Sequence, residues 1–153
     1  MRVAPELLEK YSKPGPRYTS YPTAPYFTEA FGEREWREEI ARSQGHRGLS
    51  LYVHIPFCDT LCYYCGCNMV ATHDYSKARR YLDVLSREID AVAGLIAKGR
   101  KVEQLHWGGG TPTYLRPDDI RRLAEHLHRR FVFADEVEAG CEVDPRELSR
   151  EHV

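Results

Sequence analysis

From residue 49 onward the chain repeats one order of elements three times: a short apolar run, a loop and a helix-forming stretch. Leu49–Ile55 is predicted to be a buried strand by its length and β-branched content, and Val102–Trp107 and Val137–Val143 are predicted as the second and third strands. Apolar residues recur every three or four positions in Tyr75–Lys98, which predicts a long helix, and another helix is expected from Pro117. This alternation is typical of parallel strands joined by crossover helices.

The loops that follow the three strands carry the unusual residues of the sequence. They hold four cysteines, a glycine triplet and the segment Glu142–Pro145, after which a further helix is expected to begin. In α/β barrels, the loops after the strands meet at one end, where active sites lie. We therefore expect these three loops to form one site, although three strands are too few to close a barrel.

Residues 1–48 are predicted to form an N-terminal arm with one short helix, and residues 49–153 the α/β domain. Proline fixes φ and removes a backbone donor, so the proline-rich part of the arm is expected to be extended. The helix is expected around Glu33–Ser43. The prolines and the tyrosines interleaved with them are Pro14, Pro16, Pro22, Pro25, Tyr18, Tyr21 and Tyr26.

Cys58, Cys62 and Cys65 have the spacing C-x3-C-x2-C. Thiolates are soft ligands that select iron–sulfur clusters, zinc or copper(I). A [4Fe–4S] cluster normally takes four cysteines, so three would leave one iron open to a substrate or cosubstrate. The alternative is a structural zinc site completed by His54 or Cys67, although zinc sites usually pair two separated cysteine halves, and no second half is visible.

Two other cysteines have different interpretations. Cys67 is either a small residue packed near the cluster or a thiol at the active site, and its closeness to Cys65 argues against a role as a ligand. Cys141 lies in the third predicted strand and is expected to be a buried, small apolar residue.

The glycine triplet Gly108–Gly110 exceeds what a turn needs, which favours close approach of a ligand to the backbone over a simple turn. Glu142 is expected to point away from Cys141 and Val143, and its carboxylate could accept bonds from ribose hydroxyls or an ammonium. His54 and His106 are each expected to be satisfied core histidines.

Composition restricts the partners and the compartment. The formal net charge is −1, which gives no reason to expect a nucleic acid or an anionic membrane as partner. No apolar run approaches the length of a membrane span, and the N-terminus lacks the apolar segment of a signal peptide. The five cysteines are odd in number and four of them are clustered, which favours metal chemistry in a reducing compartment, so a cytoplasmic protein is expected.

The cysteine motif resembles that of the radical S-adenosylmethionine superfamily. Further segments resemble one branch of it, the oxygen-independent coproporphyrinogen III oxidases, and the resemblance covers nearly the whole chain. The matching segments are Gly15–Thr23, His54–Cys58, Leu61–Asn68, Leu105–Thr113 and Glu142–Arg146.

The resemblance implies a role for each matching residue. Cys58, Cys62 and Cys65 would hold a [4Fe–4S] cluster whose open iron chelates S-adenosylmethionine. Two S-adenosylmethionine molecules per full-length protein are implied, and Arg17 and Tyr18 would border the porphyrinogen. The first molecule would contact Tyr52, Gly109 and Glu142, and the second would lie near Tyr64, Gly110 and Thr111.

The implied reaction is a step of anaerobic haem biosynthesis. Two propionate side chains of coproporphyrinogen III are oxidatively decarboxylated to the vinyl groups of protoporphyrinogen IX, with electrons exchanged with an unidentified donor. Cys67 is a candidate catalytic residue, and the full-length protein is expected to be monomeric, without nucleic-acid or membrane partners. The alternatives are a haem-binding chaperone of the same superfamily and a zinc-binding module.

The family is longer than this chain, and its barrel has six strands. The resemblance therefore implies the N-terminal half of a partial (β/α)6 barrel, preceded by an irregular arm. The third strand would expose an unpaired edge, and these 153 residues alone are not expected to be catalytically competent.

Overall fold

The structure is a computed structural model that describes residues 4–12, 23–45 and 48–153. The predicted extended arm falls mostly in 13–22, so its expected conformation and the roles of Arg17 and Tyr18 lie outside the described residues. The chain divides into two compact units, residues 1–36 and 37–153.

The N-terminal unit contains helix α1, Pro5–Tyr11, which the sequence interpretation missed. Proline at the first helical position has the φ that a helix needs and lacks the N–H that a helix start leaves unpaired. A single 3-10 turn follows at Ala24–Tyr26. Helix α2, Glu33–Arg42, then crosses the boundary between the units and confirms the short helix predicted for this region.

A three-stranded parallel sheet organises the second unit, as the alternation of elements predicted. Its strands are β1 (Leu49–Ile55), β4 (Lys101–Gly109) and β5 (Val132–Cys141), in the order β1-β4-β5. Two short strands, β2 (Phe57–Cys58) and β3 (Val70–Ala71), pair in parallel and close the neck of the cysteine loop. Among the strands of the described residues, β5 pairs only with β4 and lies at the edge of the sheet, as expected.

Helices α3 (Tyr75–Ala93) and α4 (Pro117–Arg130) provide the apolar side chains that cover one face of the sheet. Burial of these apolar groups drives the packing of helix on sheet. The buried core consists of Leu49, Val53, Ile55, Phe57, Ala78, Leu85, Ile89, Val102, Trp107, Leu115, Leu123, Leu127 and Phe131. Within the described ranges, no helix combines the length and apolar character needed to cross a bilayer.

Helix α3 ends at Ala93, before the predicted end at Lys98. The side chain of Gln44 explains the early end, since it donates to the carbonyl of Leu95 at 3.1 Å and accepts the N–H of Ala97 at 2.6 Å. These backbone groups are therefore bonded outside a helical ladder. Gly99, at φ +86°, allows the turn into β4.

Strand β5 begins at Val132, five residues before the predicted start at Val137, and ends at Cys141. The described residues 146–153 do not contain the helix expected after Pro145, and turns follow instead. The carboxylate of Asp144 accepts the backbone N–H of Arg146 at 3.0 Å. This local bond stabilises a turn in competition with helical bonding.

The two faces of the sheet differ in chemistry. On the helix-covered face, Leu105 and Trp107 of β4 pair in register with Ala139 and Cys141 of β5. The opposite face carries Tyr52, His106 and Gly140 in one register row, and Gln104 beside Glu138 in another. Because side chains alternate along a strand, polar residues collect on the uncovered face. That face supplies the site.

Candidate functional site

The cysteine loop is held at its neck by backbone hydrogen bonds. The N–H of Val70 donates to the carbonyl of Pro56 at 2.6 Å, and the N–H of Thr72 donates to that of Cys58 at 2.9 Å. Within the loop, the N–H of Cys65 donates to the carbonyl of Cys62 at 3.1 Å. Cys58, Cys62 and Cys65 are half-buried, and all three are free thiols.

The glycine loop after β4 joins the cysteine loop directly. The N–H of Gly110 donates to the carbonyl of Ile55 at 2.9 Å, and that of Thr111 donates to Phe57 at 2.8 Å. The hydroxyl of Thr111 lies 3.3 Å from the sulfur of Cys58, within hydrogen-bonding distance. The end of β1, the first cysteine and the glycine loop therefore form one hydrogen-bonded unit.

Two of the three glycines are required by neighbouring atoms of the chain itself. Gly109 has φ +118°, and a Cβ there would lie 2.7 Å from Cε1 of His54. A Cβ on Gly110 would lie 2.8 Å from the carbonyl oxygen of Phe57 and 2.9 Å from the sulfur of Cys58. Contacts this short force neighbouring atoms to move, so the triplet lets the loops pack together whether or not a ligand also approaches it.

A polar row crosses the uncovered face just before these loops. The rings of Tyr52 and His106 stack with centroids 5.8 Å apart, and His106 Nε2 lies 3.5 Å from a carboxylate oxygen of Glu142. The other oxygen of Glu142 accepts the N–H of Gly109 at 3.3 Å. A Cβ on Gly108 would lie 2.8 Å from Tyr52 Oη and 3.0 Å from Glu142 Cδ, so both groups lie above this glycine.

The pKa values of Tyr52, Cys58 and Cys67 reflect burial and the closeness of several acidic groups. Partial burial raises the pKa of the Tyr52 phenol, and the negative charges of Glu142 and Cys67 raise it further. Burial also raises the pKa of the Cys58 thiol, with a further contribution from Cys65. The pKa of Cys67 is raised chiefly by its hydrogen bond to Cys65 and by that residue's charge.

The third loop reaches the cysteines through Arg146. Its Nη2 lies 3.8 Å from the sulfur of Cys62 and 3.4 Å from Oγ1 of Thr60. Asp144 binds the same guanidinium, accepting from Nε at 2.9 Å and from Nη2 at 2.5 Å. The arginine holds the pKa of the Asp144 carboxyl down to about 2, because it stabilises the charged form.

The donor set fits a soft, positively charged cluster. Coordination by metal deprotonates thiols, and iron would stabilise the thiolate form of Cys58, which burial disfavours by raising its pKa. Among residues 4–12, 23–45 and 48–153, no three His, Cys, Asp or Glu side chains converge as they would around one metal ion. A four-iron cluster requires a different arrangement, because each thiolate binds a separate iron.

The predicted site residues do not all share one environment. Cys58, Thr111, Gly110, Gly109 and Glu142 are linked by the contacts described above. The side chain of Tyr64 is exposed, and so is that of Cys67, whose free thiol has its pKa raised by the neighbouring Cys65.

Two expectations about buried residues were wrong. Cys141 is exposed, because its position at the end of edge strand β5 has too little of the chain packed over it. His106 is also exposed, on the polar face, and it pairs with Glu142. His54 is half-buried, and its Nε2 lies 3.1 Å from the carbonyl oxygen of Asn68.

Sequence reasoning missed His106 and Arg146 as members of the site. Alternation along β4 could have found His106, since Leu105 and Trp107 are apolar and the residue between them must face the other way. A further helix was expected after the segment Asp144-Pro145-Arg146, and nothing in the segment indicated contact with Cys62.

A family model described as the radical SAM superfamily matches residues 52–153, which contain the three cysteines, the glycine loop and Glu142. The chain belongs to the radical SAM superfamily. An oxygen-independent coproporphyrinogen III oxidase from Escherichia coli (strain K12) is 55% identical over 142 residues, covering 93% of this chain and 31% of the relative. A protein of the same name from Mannheimia haemolytica is 50% identical over 139 residues, covering 91% of this chain and 94% of that relative.

A solved structure is also similar to this radical SAM chain, in both fold and sequence. It is the coproporphyrinogen III oxidase from Escherichia coli, described as a radical SAM enzyme, with a TM-score of 0.83 at 52% identity. The match covers 94% of this chain and 31% of that one. The α/β fold is therefore shared, and the chain spans about a third of the length of that structure and of the E. coli relative.

Proposed function

We propose that this chain forms the part of an oxygen-independent coproporphyrinogen III oxidase that holds a [4Fe–4S] cluster and S-adenosylmethionine. The observation that carries the proposal is the joining of the three loops. Thr111 contacts the sulfur of Cys58, Gly109 donates to Glu142, and Arg146 reaches Cys62. Relatives that are 50% and 55% identical bear the name of this oxidase.

In this proposal each site residue has a stated role. Cys58, Cys62 and Cys65 bind three corners of the cluster, and the fourth corner is left for S-adenosylmethionine. Tyr52, Gly109 and Glu142 contact that molecule. A second molecule lies near Tyr64, Gly110 and Thr111, and Cys67 acts at the active site.

The contacts of Glu142 and Tyr52 suit an aminoacyl or ribose group. The Glu142 carboxylate already accepts one N–H and lies near His106, and its side chain is 52% exposed, so an ammonium or hydroxyl donor can still reach it. The phenol of Tyr52, raised in pKa, stays protonated near neutral pH and can donate to a ligand.

When bound, the cluster and S-adenosylmethionine supply the one-electron chemistry that begins removal of hydrogen from a propionate side chain. Coproporphyrinogen III is the proposed substrate, its two propionates becoming the vinyl groups of protoporphyrinogen IX, and a reduced one-electron carrier is the proposed donor. We place the protein in the cytoplasm, where reducing conditions keep thiols available for metal binding. A monomer without nucleic-acid or membrane partners completes the proposal.

An anaerobic turnover assay tests the function. The 153-residue chain and the full-length E. coli relative are reconstituted with iron and sulfide, then given coproporphyrinogen III, S-adenosylmethionine and dithionite. Vinyl products are measured by chromatography. We expect products from the relative and none from the chain alone, because it spans 31% of that relative. Vinyl formation by the chain alone would disprove its proposed inactivity, and tight haem binding without a cluster would favour the chaperone instead.

Replacing Glu142 with glutamine is expected to weaken binding of S-adenosylmethionine to the reconstituted chain roughly 10- to 100-fold. The change removes a charge-assisted bond to the ammonium or ribose, worth about 1.5–3 kcal/mol. Equilibrium dialysis with labelled S-adenosylmethionine measures the affinity. Glu136→Gln, at an exposed acid of β5, is the control and should leave the affinity unchanged. Equal affinities for Glu142→Gln and the unsubstituted chain would remove Glu142 from the proposed site.

A further inference from the structure

Arg146 stands out because it carries a positive charge to the cysteine loop from a segment 84 residues further along the chain. Its Nη2 donates toward the sulfur of Cys62 at 3.8 Å, within the range of a hydrogen bond to sulfur, and toward Oγ1 of Thr60 at 3.4 Å. The guanidinium therefore spans two residues of the loop.

Asp144 fixes the direction in which this arginine points. Its Oδ1 accepts both the backbone N–H and Nε of Arg146, at 3.0 and 2.9 Å, and its Oδ2 accepts from Nη2 at 2.5 Å. The side chain of Asp144 is 18% exposed, whereas that of Arg146 is 59% exposed. Asp144 lies in the same turn as Arg146 and already orients its guanidinium. The arginine side chain therefore loses little further conformational entropy when it contacts Cys62.

We infer that Arg146 is a positioning residue for the cluster, held by Asp144 so that its charge and hydrogen bond at the Cys62 thiolate raise the cluster's reduction potential. This inference rests on the proposed function, since it requires Cys62 to be a cluster ligand. Reduction adds one negative charge to the cluster, and a cation beside a ligand sulfur stabilises the reduced form. Hydrogen bonds to the sulfurs and net charge are established determinants of such potentials.

The charge of Asp144 affects the reduction potential expected for variants of Arg146. In the unsubstituted chain its negative charge is offset by Arg146. Arg146→Gln leaves the Asp144 charge uncompensated near Cys62, so the reduced cluster is destabilised both by the lost cation and by the unpaired anion. Asp144→Asn combined with Arg146→Gln removes both charges and should restore part of the potential.

The experiment measures the midpoint potential of the anaerobically reconstituted chain by dye-mediated titration, with the reduced cluster followed by electron paramagnetic resonance. Iron and sulfide contents are determined for each variant. Arg146→Gln is expected to shift the equilibrium between oxidised and reduced cluster about tenfold toward the oxidised form, a change of about −59 mV for one electron. The shift should shrink at 1 M salt, because exposed charges are screened.

Three further variants separate charge from structure. Arg146→Lys keeps the charge and should remain close to the unsubstituted potential. The double variant should lie between Arg146→Gln and the unsubstituted chain. Arg150→Gln, at an exposed arginine of the same segment, should change neither iron content nor potential.

The inference is overturned if Arg146→Gln has a full cluster with an unchanged potential. It is also overturned if both Arg146→Gln and Arg146→Lys lose the cluster while Arg150→Gln retains it, because Arg146 would then be needed only for the loop's structure. Failure of the unsubstituted chain to assemble any cluster is a distinct result, which counts against the proposed function and not against the tuning by Arg146 alone.

Discussion

Cys58→Ala is expected to abolish cluster binding, so that the anaerobically reconstituted chain stays colourless while the unsubstituted chain turns brown. The substitution leaves two of the three predicted ligands, and two thiolates cannot hold a four-iron cluster that already lacks a fourth cysteine. The effect should be complete, because Cys58 is the proposed ligand that contacts the glycine loop through Thr111. Iron, acid-labile sulfide and the visible absorbance of the same samples measure the loss.

Two other cysteines provide matched controls for the loss of a thiol. Cys141→Ala removes an exposed thiol at the edge of the sheet, and Cys67→Ala removes the exposed free thiol two residues after Cys65. Both variants should retain about four irons per chain, as a [4Fe–4S] cluster requires. A colourless unsubstituted chain with stoichiometric zinc would contradict the assignment, and loss of iron in Cys67→Ala would make that residue a ligand.

The sequence predicted those features of the fold that depend on local periodicity. Apolar spacing identified α3 and α4, and the alternation of strand and helix required parallel pairing of β1, β4 and β5. The meeting of the three strand-following loops followed from that topology. The contact between Thr111 and Cys58, two residues 53 positions apart, is a consequence of parallel strands ending at the same edge.

Features that depend on distant side chains could not be read from local patterns. The end of α3 is determined by Gln44, which binds backbone groups of Leu95 and Ala97 from 51 and 53 residues away. The exposure of Cys141 depends on what packs beyond an edge strand. The alternation of apolar and polar residues in the sequence does not show this. The approach of Arg146 to Cys62 likewise depends on the tertiary fold, since the turn that directs Arg146 is local but Cys62 lies 84 residues away.

The reason for the glycine triplet also emerged only from packing. A run of glycines indicates that something comes close to the backbone, but it does not say whether that is a ligand or the chain itself. At Gly110 the neighbours are the carbonyl of Phe57 and the sulfur of Cys58. The glycine loop and the cysteine loop therefore depend on each other sterically, and this gives the second large expected effect.

Gly110→Ala is expected to lower the free energy of unfolding by about 1–3 kcal/mol, the usual cost of forcing an extra carbon into a packed region. A Cβ there would lie 2.8 Å from the oxygen of Phe57 and 3.0 Å from the carbonyl carbon of Pro56, both backbone atoms that cannot rotate away. The strand end and Cys58 must move instead. Cluster content should therefore fall with stability, as measured by urea denaturation and iron analysis of the same preparation.

Gly66→Ala is the matched control, because this glycine lies between Cys65 and Cys67 and a Cβ there would meet no atom within 4 Å. Its φ is not positive, so alanine adds no backbone strain. We expect the control to keep the stability and iron content of the unsubstituted chain. Equal stability and full iron content in Gly110→Ala would show that the two loops separate easily, and the hydrogen bonds from Gly110 and Thr111 to the strand end would then be too weak to fix Cys58.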